Sequence, residues 1–171
     1  MDALFFIVVL FAIIALVVQL LNRSGSSTQA KESQYEQHKS LLSAAERSFF
    51  GVLKGAVGAD YVVVPKVRVA DAIRPRRGMS RSDWQSAFNR ISAKHFDFLI
   101  CRATDFGIVA SVELDDKSHR QSRRRERDEF LAAAAKEAGL PLLRFDAKSS
   151  YSQVQLRESV ADVLNEGGGA T

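Results

Sequence analysis

Ser111-Val112-Glu113-Leu114-Asp115-Asp116-Lys117-Ser118-His119, entered through the apolar Ile108-Val109-Ala110, holds the densest run of chemistry in the chain. Side chains alternate between the two faces of a strand. Ser111, Glu113, Asp115 and Lys117 therefore share one face, and Val112 and Leu114 take the other. Glu113 and Asp115 then lie ~6.7 Å apart along the strand. Two carboxylates drawn to ~4 Å repel by roughly 4 kcal/mol at an effective dielectric of ~20. Lys117 or a bound metal ion would relieve that. A solvated strand end, its acids paired to the arginines downstream, is the alternative.

Outward from this strand, His95 to Cys101 reads as a second one, with Asp97 a lone acid between phenylalanines. A charge there needs a partner. Asp105-Phe106-Gly107 turns the chain, and the resulting hairpin brings Asp97 toward Glu113 and Asp115. Downstream, Gln121 to Ala138 is a helix opening on Arg123-Arg124-Arg125-Glu126-Arg127. A cationic first turn opposes the helix dipole and calls for anionic company, either the acidic strand or a nucleic-acid backbone. Gly139 and Pro141 end the helix. A short strand follows over Leu140 to Phe145, then a helix over Tyr151 to Leu164.

Upstream, Ser43-Ala44-Ala45-Glu46 fits a capping box, and Leu42, Ala45, Phe49 and Leu53 repeat at helical spacing until Gly55 and Gly58. Tyr61 to Val69 is β-branched and reads as a strand, with Pro65 marking an edge or a bulge. The basic loop Arg74-Pro75-Arg76-Arg77-Gly78-Met79-Ser80-Arg81 is either solvated or in contact with phosphate. Ser82 can cap a helix through Ala93. Its apolar face, Trp84, Ala87, Phe88 and Ile91, reads as core in preference to a base-stacking platform.

Ala3 to Leu21 is nineteen residues without a charge. As a helix it covers ~28 Å, about the hydrocarbon thickness of a bilayer. A cleaved signal peptide would want a basic leader and a shorter apolar stretch, whereas this chain opens Met1-Asp2. The expectation is a single-pass anchor over residues 1–21. A flexible polar linker over 22–40, a domain over 41–165 and a disordered tail over 166–171 complete the chain. Arg23, Lys31 and the basic residues beyond put the domain on the cytoplasmic side by the positive-inside rule. The net charge of +4 is compatible with phosphate or anionic lipid. The single cysteine, Cys101, excludes an internal disulfide, suits a reducing compartment and sits in an apolar run, as core.

The order of elements predicts an α/β sandwich with a mixed sheet. With Phe96-Asp97-Phe98-Leu99-Ile100, Val112-Glu113-Leu114-Asp115-Asp116-Lys117-Ser118-His119, Arg127-Asp128 and Gly139-Leu140-Pro141-Leu142-Leu143-Arg144-Phe145, the chain resembles the PD-(D/E)XK nuclease superfamily. It is most similar to a bacterial domain-of-unknown-function family, number 2726, and more distantly to very-short-patch-repair-like endonucleases. The resemblance covers roughly Leu41 to Leu164.

It implies a three-layer, restriction-endonuclease-like core (α-β-β-β-α-β) and Mg2+-dependent hydrolysis of nucleic acid. It leaves out the anchor, which the apolar stretch alone puts in a bacterial inner membrane. Asp97 matches the first acid, Glu113 or Asp115 the second, and these three carboxylates would hold the metal. Lys117 and His119 match a charge-stabilising lysine and a general base. Arg76, Arg77, Arg124 and Arg127 would contact nucleic acid, and Glu46 matches an accessory helix acid. If Glu113 is the second acid, the lysine position two residues on is Asp115; if Asp115 is, Lys117 falls in place. A catalytically inactive nucleic-acid- or protein-binding module of the same fold is the alternative. A third is a membrane-tethered interaction domain whose acids only pair with its arginines.

Overall fold

The structure, a computed structural model, describes residues 2–24, 34–115 and 122–168, with side chains described over 6–20, 34–115 and 129–166. It divides into two units, Met1–Lys39 and Ser40–Thr171.

The first unit carries helix α1, Asp2–Ser24. Its described side chains, 6–20, are exposed around the whole circumference, with Phe6, Leu10 and Phe11 all more than half exposed. Among the described residues no helix is long and apolar enough to cross a membrane.

The second unit runs α2 (Ala44–Val57), β1 (Tyr61–Arg68), α3 (Val69–Ala72), α4 (Arg81–Ser92), β2 (His95–Arg102), β3 (Ile108–Asp115), α5 (Ser122–Glu137), β4 (Leu142–Asp146) and α6 (Gln153–Gly168). The α/β class and mixed sheet expected from the sequence are present. The four strands lie in the order β1-β2-β3-β4. β1–β2 and β2–β3 are antiparallel, and β3–β4 is parallel across the α5 crossover. Pro65 lies in β1, an edge strand, where its missing N–H is tolerated.

Both faces of the sheet are covered. α2 buries Phe49, Leu53, Ala56 and Val57, an i, i+4, i+7, i+8 stripe, against Phe98, Ile100 and Val112 of the sheet and Leu156 and Val160 of α6. The Phe49 ring lies 5.7, 5.2 and 5.0 Å from the rings of Phe98, Phe145 and Tyr151. On the opposite face, Leu131 and Ala135 of α5 join Leu99, Cys101, Val69 and Ile91. Cys101 is core as expected, and burial pushes its thiol pKa up.

The capping box of α2 is formed: Glu46 N–H donates to Ser43 Oγ at 3.3 Å, and Ser43 N–H to Glu46 Oε2 at 2.8 Å. Gly58 (φ 82°) and Gly139 (φ 69°) take the left-handed conformation that ends α2 and follows α5. Two local expectations are corrected. The cap of α4 is Ser80, not Ser82, because Ser80 Oγ accepts the Asp83 N–H at 3.1 Å and donates to Asp83 Oδ2 at 2.7 Å. The apolar face of α4 is not core either. Only Ile91 is buried on this helix, and Trp84 stays 39% exposed.

Candidate functional site

A row of charged residues crosses the four strands. Lys66 stands opposite Asp97 in the β1–β2 register, between the pairs Pro65–Phe98 and Val67–Phe96. Extending the β2–β3 register one step past Phe98–Val112 sets Asp97 opposite Glu113. Glu113 pairs with Arg144 of β4. Read across the sheet, the row is Lys66, Asp97, Glu113, Arg144: cation, two carboxylates, cation. The register thus sets the two acids at adjoining positions of neighbouring strands.

Lys66 is the residue on which this row turns. Its φ is +55°, the left-handed region, at about 1–2 kcal/mol for a residue with a Cβ. The consequence shows in the packing. Tyr61 and Val63 pack with the α2 layer, Val62 and Val64 with the α5 layer, but Val67 breaks the alternation by joining Val62 and Val64. On β2 the same break falls at Asp97, since Phe96 and Phe98 lie in opposite layers although two residues apart. Both strands therefore change face at this pair, and Lys66 turns toward α2.

There Lys66 Nζ donates to Glu46 Oε1 and, at 3.0 Å, to Asp97 Oδ1. Asp97 Oδ2 accepts the Leu114 N–H at 3.0 Å, which pins the acid to β3. Both Asp97 oxygens thus have named donors. Burial pulls the Lys66 ammonium pKa down, but its bonds to Glu46 and Asp97 outweigh that and the net shift is upward. Burial likewise raises the Glu46 carboxyl, and its bonds to Lys66 and Ser43 bring it below the usual carboxylate range. Glu46 is at once cap and site residue: one oxygen closes the capping box and the other holds Lys66.

The acids of β3 part company. Glu113 is 7% exposed and so lies inside the row, beside the fully buried Ser111. Ser111 Oγ donates to the Pro141 carbonyl at 3.0 Å and ties β3 to the entry of β4. Asp115, on the same side of the strand, sits at the rim with its side chain 42% exposed and meets Arg144 Nε at 3.4 Å. Arg144 relieves Asp115, while Lys66 serves Glu46 and Asp97 and not the acids of β3. Lys117, the cation expected from the sequence, lies outside the described residues.

Lys117 and His119 lie outside the described residues, as do the side chains of Arg124 and Arg127 on α5. Arg76 and Arg77 are exposed in the loop before α4, away from the row in sequence and bonded to no partner among the described residues. Among the described residues no group of three His, Cys, Asp or Glu side chains is placed to hold a metal ion. The three-carboxylate set expected from the sequence is not assembled among the described residues: Asp97 and Glu113 hold adjoining register positions, Asp97 is engaged by Lys66, and Asp115 meets Arg144. Lys66 is the residue sequence reasoning missed. Its only signal was the proline before it, which flagged an irregular strand without saying where the lysine would point.

The model of one family, "Protein of unknown function (DUF2726)", matches residues 38–164, and the chain belongs to that family. No curated protein and no solved structure matches the chain.

Proposed function

We propose that this member of the unknown-function family 2726 is a membrane-anchored, nuclease-like protein that hydrolyses phosphodiesters of nucleic acid with the help of Mg2+. The observation that carries the reading is the row itself. Two carboxylates at adjoining positions of neighbouring strands, backed by a lysine held in a costly backbone conformation, concentrate charge and strain at one place, as functional sites do. The strand order, with a parallel last strand after an α5 crossover, agrees with the restriction-endonuclease-like core that the motifs resemble.

The donor set suits Mg2+ under one condition. Mg2+ keeps several waters and needs only one or two protein carboxylates, which Asp97 and Glu113 supply. Asp97 Oδ1 is engaged by Lys66, so the lysine must yield that oxygen and fall back on Glu46. When bound, Mg2+ would supply an activated water and neutralise charge on the scissile phosphate. The chain's own residues do the rest. The Leu114 N–H fixes the orientation of Asp97. Lys66, kept protonated by its partners, brings a positive charge to the phosphate beside Asp97. Glu113 is the second acid and Asp115 a rim residue. The lysine that the motif wants two positions after Glu113 is supplied from β1.

The anchor is α1. What supports it is its uncharged stretch Ala3 to Leu21 and the apolar side chains exposed around the helix. The basic residues that follow favour a cytoplasmic domain at a bacterial inner membrane. The test is cleavage of single- and double-stranded DNA and RNA by the full chain in mild detergent, with Mg2+, with Mn2+ and with chelator, beside Asp97→Asn. Metal-dependent cutting lost in the variant is the expected result. Equal background in all lanes overturns catalysis and leaves an inactive binding module of the same fold.

A further inference from the structure

α4 presents a face that the core does not use. Arg81, Trp84 and Phe88 follow one another at i, i+3 and i+7, one stripe of the helix. The Trp84 and Phe88 rings lie parallel, 5.1 Å between centroids and 9° between planes, with Trp84 39% exposed. The loop that leads into the stripe is Arg74-Pro75-Arg76-Arg77-Gly78-Met79-Ser80-Arg81, four arginines without an acid. All four are exposed, and none of them pairs with a carboxylate among the described residues. Beside the stripe lies a groove of about 280 Å³ whose lining includes Arg74, Arg76, Met79, Arg90 and Phe130. The Arg90 guanidinium sits 4.3 Å over the Phe130 ring there.

An exposed tryptophan ring stacked on a half-buried phenylalanine, with arginines on the loop before it, has a definite chemical complement. Unpaired bases offer flat π-faces to the rings, and the backbone between them offers phosphates to the arginines. A duplex hides its base faces, so its phosphates reach the arginines while the rings go unused. A protein partner covering the same rings would meet four arginines unpaired among the described residues, with Asp83 and Glu137 the acids nearby. We infer that α4 and its arginine loop form a binding surface for single-stranded nucleic acid, with Trp84 and Phe88 as the stacking platform and Arg74, Arg76, Arg77 and Arg81 as phosphate contacts. This rests on the nucleic-acid reading above and names the strandedness. α4 runs through Ala93 and Lys94 directly into β2 and Asp97, so a strand held on α4 is held by the element that leads to the acidic row.

Trp84 is the single tryptophan of the chain, so its emission reports on this face alone. The experiment titrates the full chain, in mild detergent with chelator present to prevent cutting, with a labelled thymidylate oligomer of about 20 nucleotides, longer than a typical single-strand site. Label anisotropy reports binding anywhere on the protein, and Trp84 emission reports stacking. The expected result is that Trp84 is quenched in step with the anisotropy rise. Trp84→Leu and Phe88→Leu should each weaken binding roughly tenfold or more. Arg76→Ser with Arg77→Ser should lower the salt slope of log K by about 1.4. A duplex of the same length should leave Trp84 unquenched. Anisotropy that rises while Trp84 emission stays constant overturns this inference and leaves the nuclease reading standing. No anisotropy rise at any salt overturns this inference as well, and the cleavage test on duplex and RNA then decides the nuclease reading separately.

Discussion

The charged row across the sheet and the arginine rim of α4 handle charge in opposite ways. In the row, cations sit against carboxylates: Lys66 against Glu46 and Asp97, Arg144 against Asp115. On the rim, four arginines crowd eight positions and form no ion pair among the described residues. Paired and half-buried charges fix geometry, because each partner restrains the other and screening is weak. Unpaired, exposed charges fix nothing within the chain, and their field is directed outward, at an anion still to come. Positioned chemistry therefore belongs to the row and capture to the rim. Substitutions should separate the two cleanly, with stability following the row and salt-dependent binding following the rim.

The largest loss of stability is expected from Asp97→Ala. It removes one partner of a part-buried ion pair and leaves the Leu114 N–H without its acceptor, for about 2–3 kcal/mol in urea unfolding. Lys66→Ala should cost about 2 kcal/mol by stranding Glu46 and Asp97. Lys66→Gly should cost about 1 kcal/mol less than Lys66→Ala, reversing the usual order, because glycine adopts φ +55° without strain. If the alanine variant is the more stable of the two, the backbone account of Lys66 is wrong.

The pH dependence sharpens the same contrast. The Glu46 pKa is lowered on folding, so its contribution is present above the ordinary value of 4.5 and is lost as pH falls through the folded value. The Lys66 pKa is raised, so its contribution is present below 10.5 and is lost as pH rises through the folded value. Stability measured against pH should hold between those limits and fall at both ends. Lys66→Met should flatten the alkaline fall and shrink the acid one.

The smallest effects belong to exposed groups. The Arg144–Asp115 pair, 35% and 42% exposed, should contribute about 0.5 kcal/mol or less in a double-mutant cycle. Arg76→Ser should also stay within about 0.5 kcal/mol, since nothing in the described fold leans on it. A large loss from Arg76→Ser would erase the distinction between row and rim.

Much of this was legible in the sequence, for identifiable reasons. Capping chemistry is local, so Ser43 and Glu46 announced α2, and Gly58 and Gly139 announced helix ends. The hairpin turn was local as well, which is why the sequence could bring Asp97 toward the acidic strand, where it accepts the Leu114 N–H. Lys66 was not legible. Period-two alternation assigns it to the side of Val62 and Val64, and only the left-handed step after Pro65 turns it toward a helix twenty residues upstream. Asp115 misled for a related reason: alternation gave it the face of Glu113 correctly but not its exposure at the strand end, where Arg144 from β4 collects it. Periodicity likewise found the apolar face of α4 without revealing that only Ile91 of it is buried. Amphipathic spacing says which residues face together and is silent on what, if anything, covers them.

The measurement that tests the central claim most directly compares two single-atom-class changes on one strand. Metal-dependent cleavage is followed for the full chain carrying Glu113→Gln and, separately, Asp115→Asn, on the nucleic acid the wild type cuts fastest. If the buried row is the working site, Glu113→Gln should lower the rate by at least about 100-fold, while Asp115→Asn retains most of it. Full activity in Glu113→Gln, or a loss confined to Asp115→Asn, would contradict the account and move the chemistry out of the row to the strand's exposed end.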